Sequence, residues 1–182
     1  MKYCFNVKIT DKDYMDFNYF HLFKSHYAKK QFQTARVVFS FLPLILWFAS
    51  YALNGFSDEH FVTLVAYIPL SVIVFFTMKP FYKFIVKHQL RSTFRTGKKP
   101  YTADSVMEFY EDMFVEITPE NRSQVNYSAV DSVYVVKGEI IYIYLNSALA
   151  HLIPYSVFES ESQFNSFIEF IENKTKPVIY SL

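Results

Sequence analysis

Residues 54–61 read NGFSDEHF, a short acidic break between two long apolar runs, VVFSFLPLILWFASYAL (37–53) and FVTLVAYIPLSVIVFFTM (61–78). From Val37 to Ser57 there are 21 positions without a charged residue, roughly 31 Å of helix. Phe61 to Met78 contributes 18 more, roughly 27 Å by the same rise. A bilayer hydrocarbon core is about 30 Å thick, and both runs match it. The competing reading is a pair of helices buried in a soluble core. A helix that is apolar all round must be covered all round, and the remaining chain is too short to wrap two of them. The runs therefore read as membrane-spanning helices. The break between them has room only for a tight turn, which makes the helices antiparallel neighbours.

Pro43 and Pro69 each interrupt a run. Spanning helices tolerate proline where neighbouring groups satisfy the freed carbonyl, so a kink is the expected consequence. Trp47, Tyr51, Phe56, Phe61 and Tyr67 place aromatic rings in the half of the hairpin nearest the turn, as an interfacial belt requires. Orientation follows from lysine and arginine. Lys24, Lys29, Lys30 and Arg36 precede the first run, Lys79, Lys83, Lys87, Arg91, Arg95, Lys98 and Lys99 follow the second, and the turn carries neither residue type. The positive-inside rule then puts both chain ends in the cytoplasm and the acidic turn outside. The chain divides accordingly: 1–36 an N-terminal strand and helix, 37–57 the first span, 58–60 the turn, 61–78 the second span, 79–99 a basic juxtamembrane helix, and 100–182 a cytoplasmic β domain.

Within 79–99, Lys79, Lys83, Lys87, Arg91 and Arg95 recur every fourth position, which on a helix keeps them on one slowly drifting face. Two readings stand side by side. The stripe is a topology signal that snorkels to the interface, or it is a contact surface for anionic lipid, with each charge contributing about 1 kcal/mol near an anionic leaflet. Gly97 and Pro100 in RTGKKP end the helix.

Composition narrows the class further. The chain is 52% hydrophobic and 20% aromatic with three glycines, which excludes a disordered or low-complexity protein. A formal charge of +1 selects no class of partner. The single cysteine, Cys4, excludes an intrachain disulfide and a CxxC knuckle and reads as a small strand residue. The first 30 residues lack a continuous apolar h-region, so they do not read as a signal peptide.

Tyr3–Ile9 (YCFNVKI) alternates as a strand, and Thr10 with Asp11 and Asp13 opens a helix extending to about Lys29 and toward the first span. After Pro100 the period becomes two. VMEFYE, MFVEIT, QVNYSAV, VDSVYVV, EIIYIYL and ALAHLIP are six candidate strands, implying an antiparallel sheet or small barrel. Ile140–Leu145 is large and apolar on both faces, which predicts a central strand covered on both sides. Ser160 and Gln163 form a capping box, and Phe164, Phe167, Ile168 and Ile171 follow at i, i+3, i+4, i+7. This predicts one amphipathic helix over about Glu161–Asn173, closing the sheet and stopped by Pro177.

The strand and helix KITDKDYMDFNYFHLFKS, the two spans, and the tail IYIYLNSALAHLIPYSVFESESQFNSFIEFI together resemble the bacterial YcxB-like membrane proteins. The most specific segment runs from Ala148 through Ile153-Pro154 to Phe158 and into the capped helix. The resemblance implies a tail similar to PH-like domains, a sheet or partial barrel with one C-terminal helix, and location in a bacterial cell (inner) membrane. It brings no catalytic residues. Tyr155 stands where a basic residue would be expected after the proline, which weakens a charge-based ligand argument there.

The motifs of chemistry are missing. His21, His26, His60, His88 and His151 form no HExxH and no metal pair on one helix face. GxSxG, GxxxxGK[ST] and GxGxxG do not occur. Glu108, Glu111, Asp112 and Glu116 read as a charged turn and a solvated strand face. The sequence thus predicts an α+β membrane protein that is not an enzyme and holds no metal or cofactor. Its expected role is a membrane-anchored interaction module at the inner leaflet that binds a protein partner or a lipid headgroup and no nucleic acid. The alternative is a non-catalytic subunit of a transport or envelope-assembly complex, and a homo-oligomer is compatible with either.

Overall fold

The structure is a computed structural model that describes residues 1–55, 58–97, 99–136, 138–175 and 178–181. The chain divides into two compact units, one of 1–17 with 97–182 and one of 18–96.

In the first unit, Tyr3–Lys8 forms β1. Asp104–Phe109 (β2), Met113–Ile117 (β3) and Arg122–Asn126 (β4) complete an antiparallel meander with the order β1-β2-β3-β4. Ser132–Val136 (β5), Ile140–Tyr144 (β6) and Ala150–Pro154 (β7) form a second meander. A fourth strand, β8 (Val178–Ser181), joins β5 in parallel, and the sheet order is β7-β6-β5-β8. Among the described residues there are thus two four-stranded sheets where the periodicity suggested a single sheet or barrel. β8 escaped sequence reading because four residues after a helix carry too little pattern. The expected Lys137-Gly138-Glu139 turn lies partly outside the described residues, but Gly138 has φ +75°, a conformation that favours glycine.

Alternation decides what each sheet buries. Phe5, Val7, Met107, Phe109, Phe114 and Val125 from the first sheet share one core with Val133, Val135, Ile141, Ile143 and Ile153 from the second. The C-terminal helix, Glu161–Lys174, adds Phe164, Phe167, Ile168 and Ile171 to that core. It starts as the capping pattern predicts: Ser160 Oγ accepts from the Gln163 amide at 3.2 Å. The Gln163 side-chain Oε1 reaches one residue further back than the usual box and accepts from the Glu159 amide at 2.7 Å.

β6 is buried along its whole length, as expected of a central strand. Its second face, however, is covered from the N-terminal end of the chain. Phe17, on the helix Asp11–Phe23 (α1), packs on Tyr142 and Tyr144 with ring centroids 5.5 and 6.0 Å away. Thr10 caps this helix: its hydroxyl accepts from the Asp13 amide at 3.2 Å, and Asp13 accepts in return from the Thr10 amide at 2.9 Å.

The second unit begins within α1. The helix predicted to run on to about Lys29 instead stops at Phe23. Ser25 restarts it, its hydroxyl donating to the His21 carbonyl at 2.6 Å and accepting from the Ala28 amide. From there α2 (His26–Asn54) is continuous through Pro43. α3 (Asp58–Arg95) is continuous through Pro69 and Pro80, so the second apolar run and the basic stripe lie on one helix. The turn expected at 58–60 falls within the first turn of α3. The expected ring positions of Phe56 and Phe61 lie outside the described residues. α2 and α3 pair through Phe32 against Tyr82, Arg36 over Phe75, and the Trp47 indole donating to Thr63 Oγ1 at 3.1 Å. Both helices are long and apolar enough to cross a membrane, and only 6% and 11% of their most apolar windows are buried. Many of their apolar side chains face outward, Leu53 at 86% and Phe76 at 71% exposure.

Candidate functional site

The basic stripe lies on α3, and Lys79, Lys83, Lys87, Arg91 and Arg95 are all exposed. The first two are drawn onto aromatic rings of α1. The Lys79 ammonium lies 5.7 Å from the Phe23 ring centre, and that of Lys83 lies 6.0 Å from both Phe23 and Tyr19. The Tyr19 hydroxyl donates to the Lys83 carbonyl at 3.4 Å. These cation–π contacts hold charge on a surface without neutralising it. Among the described residues none of the five makes an ion pair, so the stripe stays a cationic face.

A second arrangement lies inside the β unit. Strand alternation carries Glu116 to the same side of β3 as Phe114, and His151 to the same side of β7 as Ile153, both facing the core. There His151 Nδ1 lies 3.2 Å from Glu116 Oε2, joining the two sheets. The His151 side chain is 6% exposed and that of Glu116 25%. His151 also stands edge-on to Phe114, with centroids 5.1 Å apart. The hydrogen bond from His151 holds the Glu116 carboxyl below the ordinary carboxylate range, against the upward push of burial, and Ser105 adds a smaller pull in the same direction. The pair borders a cleft of about 260 Å³ that also touches Val7, Tyr14, Tyr101 and Leu149.

The chemistry open to this arrangement is limited. Among the described residues the polar contact of the imidazole is Glu116 and not a hydroxyl or thiol, so no activated nucleophile is placed there. His151 Nε2 is sealed from solvent and has no hydrogen-bond partner among the described residues. The pair therefore acts as a polar clamp between two sheets. Sequence reading put Glu116 on a solvated strand face and found no metal pair for His151. The alternation that sends Phe114 and Ile153 inward was the signal that could have placed both inside. Among the described residues, no group of three or more His, Cys, Asp or Glu side chains is placed to hold a metal ion.

The clamp and the strands that carry it fall in residues 109–171, which match the family model described as YcxB-like protein. This segment is similar to that family. It holds β3 to β7 and most of the C-terminal helix, so the matched region includes Glu116, His151 and the helix residues that fill the core. No curated protein and no solved structure matches the chain.

Proposed function

We propose that this protein is a membrane-anchored interaction module: a two-helix hairpin in a bacterial inner membrane, with the β unit on the cytoplasmic side. The observation that carries the reading is the outward apolar surface of α2 and α3, whose most apolar windows are only 6% and 11% buried. In water a contiguous apolar patch of that size is an association site; in lipid it is the normal exterior of a span. The lysine and arginine asymmetry supports the orientation. The strand sequence supports a PH-like reading of the β unit, a four-strand meander followed by a three-strand meander and a closing helix. In that reading the hairpin is an insertion between the first and second strands. The cationic stripe of α3 then meets the inner leaflet, and tethering raises the effective concentration of the β unit there, so weak affinity for a headgroup or protein suffices. A subunit role inside a larger spanning complex ranks lower. The hydroxyls of Ser40 and Ser71 bond to carbonyls of their own helices, at Val37 and Tyr67, and do not reach out toward a further span.

Cys4 tests this directly, since it is the only cysteine and is exposed. The full chain is expected in the carbonate-resistant membrane fraction, with Cys4 labelled by an impermeant maleimide only after the cells are opened. Release by carbonate removes the anchor; labelling of intact cells reverses the orientation.

A further inference from the structure

Arg36 is the last charged residue before the first apolar run. Its guanidinium lies 4.1 Å from the centre of the Phe75 ring, and its Nε is buried with no hydrogen-bond partner. Among the described residues no carboxylate pairs with it. Lys79 follows Phe75 by one turn of α3 and so sits on the same side of the helix, also without an ion pair among the described residues. Outward from these two cations, α2 and α3 separate into a groove of about 380 Å³ bordered by Val37, Phe41 and Leu44 on one helix and Ile68, Val72 and Phe75 on the other. Its polar atoms are few. The hydroxyls of Ser40 and Ser71, which also line it, are turned back onto their own helices.

Arg36 precedes the lining residue Val37 and rests on the lining residue Phe75, so this apolar groove has a guanidinium at one end, the layout of an amphiphile. Its volume holds on the order of a dozen water-sized groups, enough for most of one acyl chain. We propose that this groove binds one anionic phospholipid, with the phosphate held at Arg36 beside Lys79 and an acyl chain lying between the helices. A guanidinium presents a planar fork to a phosphate while its face rests on an aromatic ring, and Arg36 is already seated in that way. Net charge selects the class. Two cations without a local carboxylate favour a headgroup with net negative charge over a zwitterionic one, whose ammonium would add a third positive charge. The inference rests on the membrane reading and assigns one lipid to one place in it.

The test is native mass spectrometry of the full chain released from nanodiscs containing equal phosphatidylglycerol and phosphatidylethanolamine. Wild-type protein is expected to leave with one phosphatidylglycerol bound. Arg36→Gln should lower that retention roughly fivefold, as expected for one charge near an anionic headgroup. Arg36→Lys, which keeps the charge and loses the fork, should fall between. Equal retention of the two lipids, or full retention by Arg36→Gln, overturns the proposal. So does a lipid-free dimer, which would assign the groove to a second copy. Protein that enters the nanodisc and leaves without lipid refutes this site alone, whereas protein that does not enter refutes the membrane reading as well.

Discussion

Phe167→Ala in the closing helix removes the side chain that ties the first sheet to that helix. Phe167 is fully buried, and its ring meets Tyr3, Phe5 and Phe109 at centroid distances of 5.3, 5.1 and 4.9 Å, each close to edge-on. Truncating a buried phenylalanine costs about 3–5 kcal/mol. Edge-to-face pairs add about 0.5–1.5 kcal/mol each beyond their buried area, so three of them place the loss toward the upper end. A folded unit of this size is held by only about 5–15 kcal/mol. Hydrogen exchange of the full chain in detergent reads the effect, because the amides of a central strand exchange through the largest openings. At tenfold per 1.4 kcal/mol, the β6 amides of Ile140–Tyr144 should exchange roughly a hundred to several thousand times faster. Exchange in α2 and α3 should stay unchanged, since Phe167 belongs to the other unit. Asn165→Ala, at an exposed position of the same helix, should leave β6 within about threefold, the range of an ordinary surface change. Acceleration of β6 below about fivefold in Phe167→Ala would refute the packing argument.

Glu116→Gln should destabilise the β unit by about 1.5–3 kcal/mol at neutral pH, the range for a charge-assisted hydrogen bond. Because the folded carboxyl is held below its ordinary value, its contribution is complete above the ordinary carboxylate range and fades as pH falls through the folded value. Urea midpoints of wild type and Glu116→Gln should therefore converge on acidification, and a constant gap down to that range would contradict the assignment. Ser160→Ala removes the acceptor for the Gln163 amide and should cost about 1 kcal/mol, read as faster exchange at the start of the closing helix. Gly138→Ala forces a side chain into φ +75° and should cost about 1–2 kcal/mol. Since no atom stands near the added methyl, Gly138→Asn should recover part of that loss in the same urea measurement.

The elements with long, regular patterns were legible. The apolar runs at 37–57 and 61–78 announced two helices, the i, i+3, i+4, i+7 set from Phe164 announced the closing helix, and alternation announced β2 through β7. What escaped depends on contacts far apart in sequence. Nothing local to Phe17 says that it covers Tyr142 and Tyr144, more than a hundred residues away. Nothing local to Ser25 distinguishes a helix restart from a surface serine, because the break is made by its bonds to His21 and Ala28. The Glu116–His151 clamp was missed. Period two carried the inward facing of both residues, but Glu116 was read as a solvated face, and their meeting requires two sheets, whose number residue patterning does not give.

β1 pairs with β2 from Tyr3↔Phe109 to Lys8↔Asp104, so the hairpin is a loop closed by a strand pair. During synthesis, β1 emerges first and stays without its partner until both helices have been made. In the proposed topology, β1 and β2 meet only if both helices have crossed and the chain has returned to its starting side. A single crossing would strand them on opposite faces of the membrane. In that topology completion of the first sheet would serve as a checkpoint on insertion: molecules with a misplaced helix would retain an open strand edge, the kind of surface that chaperones and proteases engage.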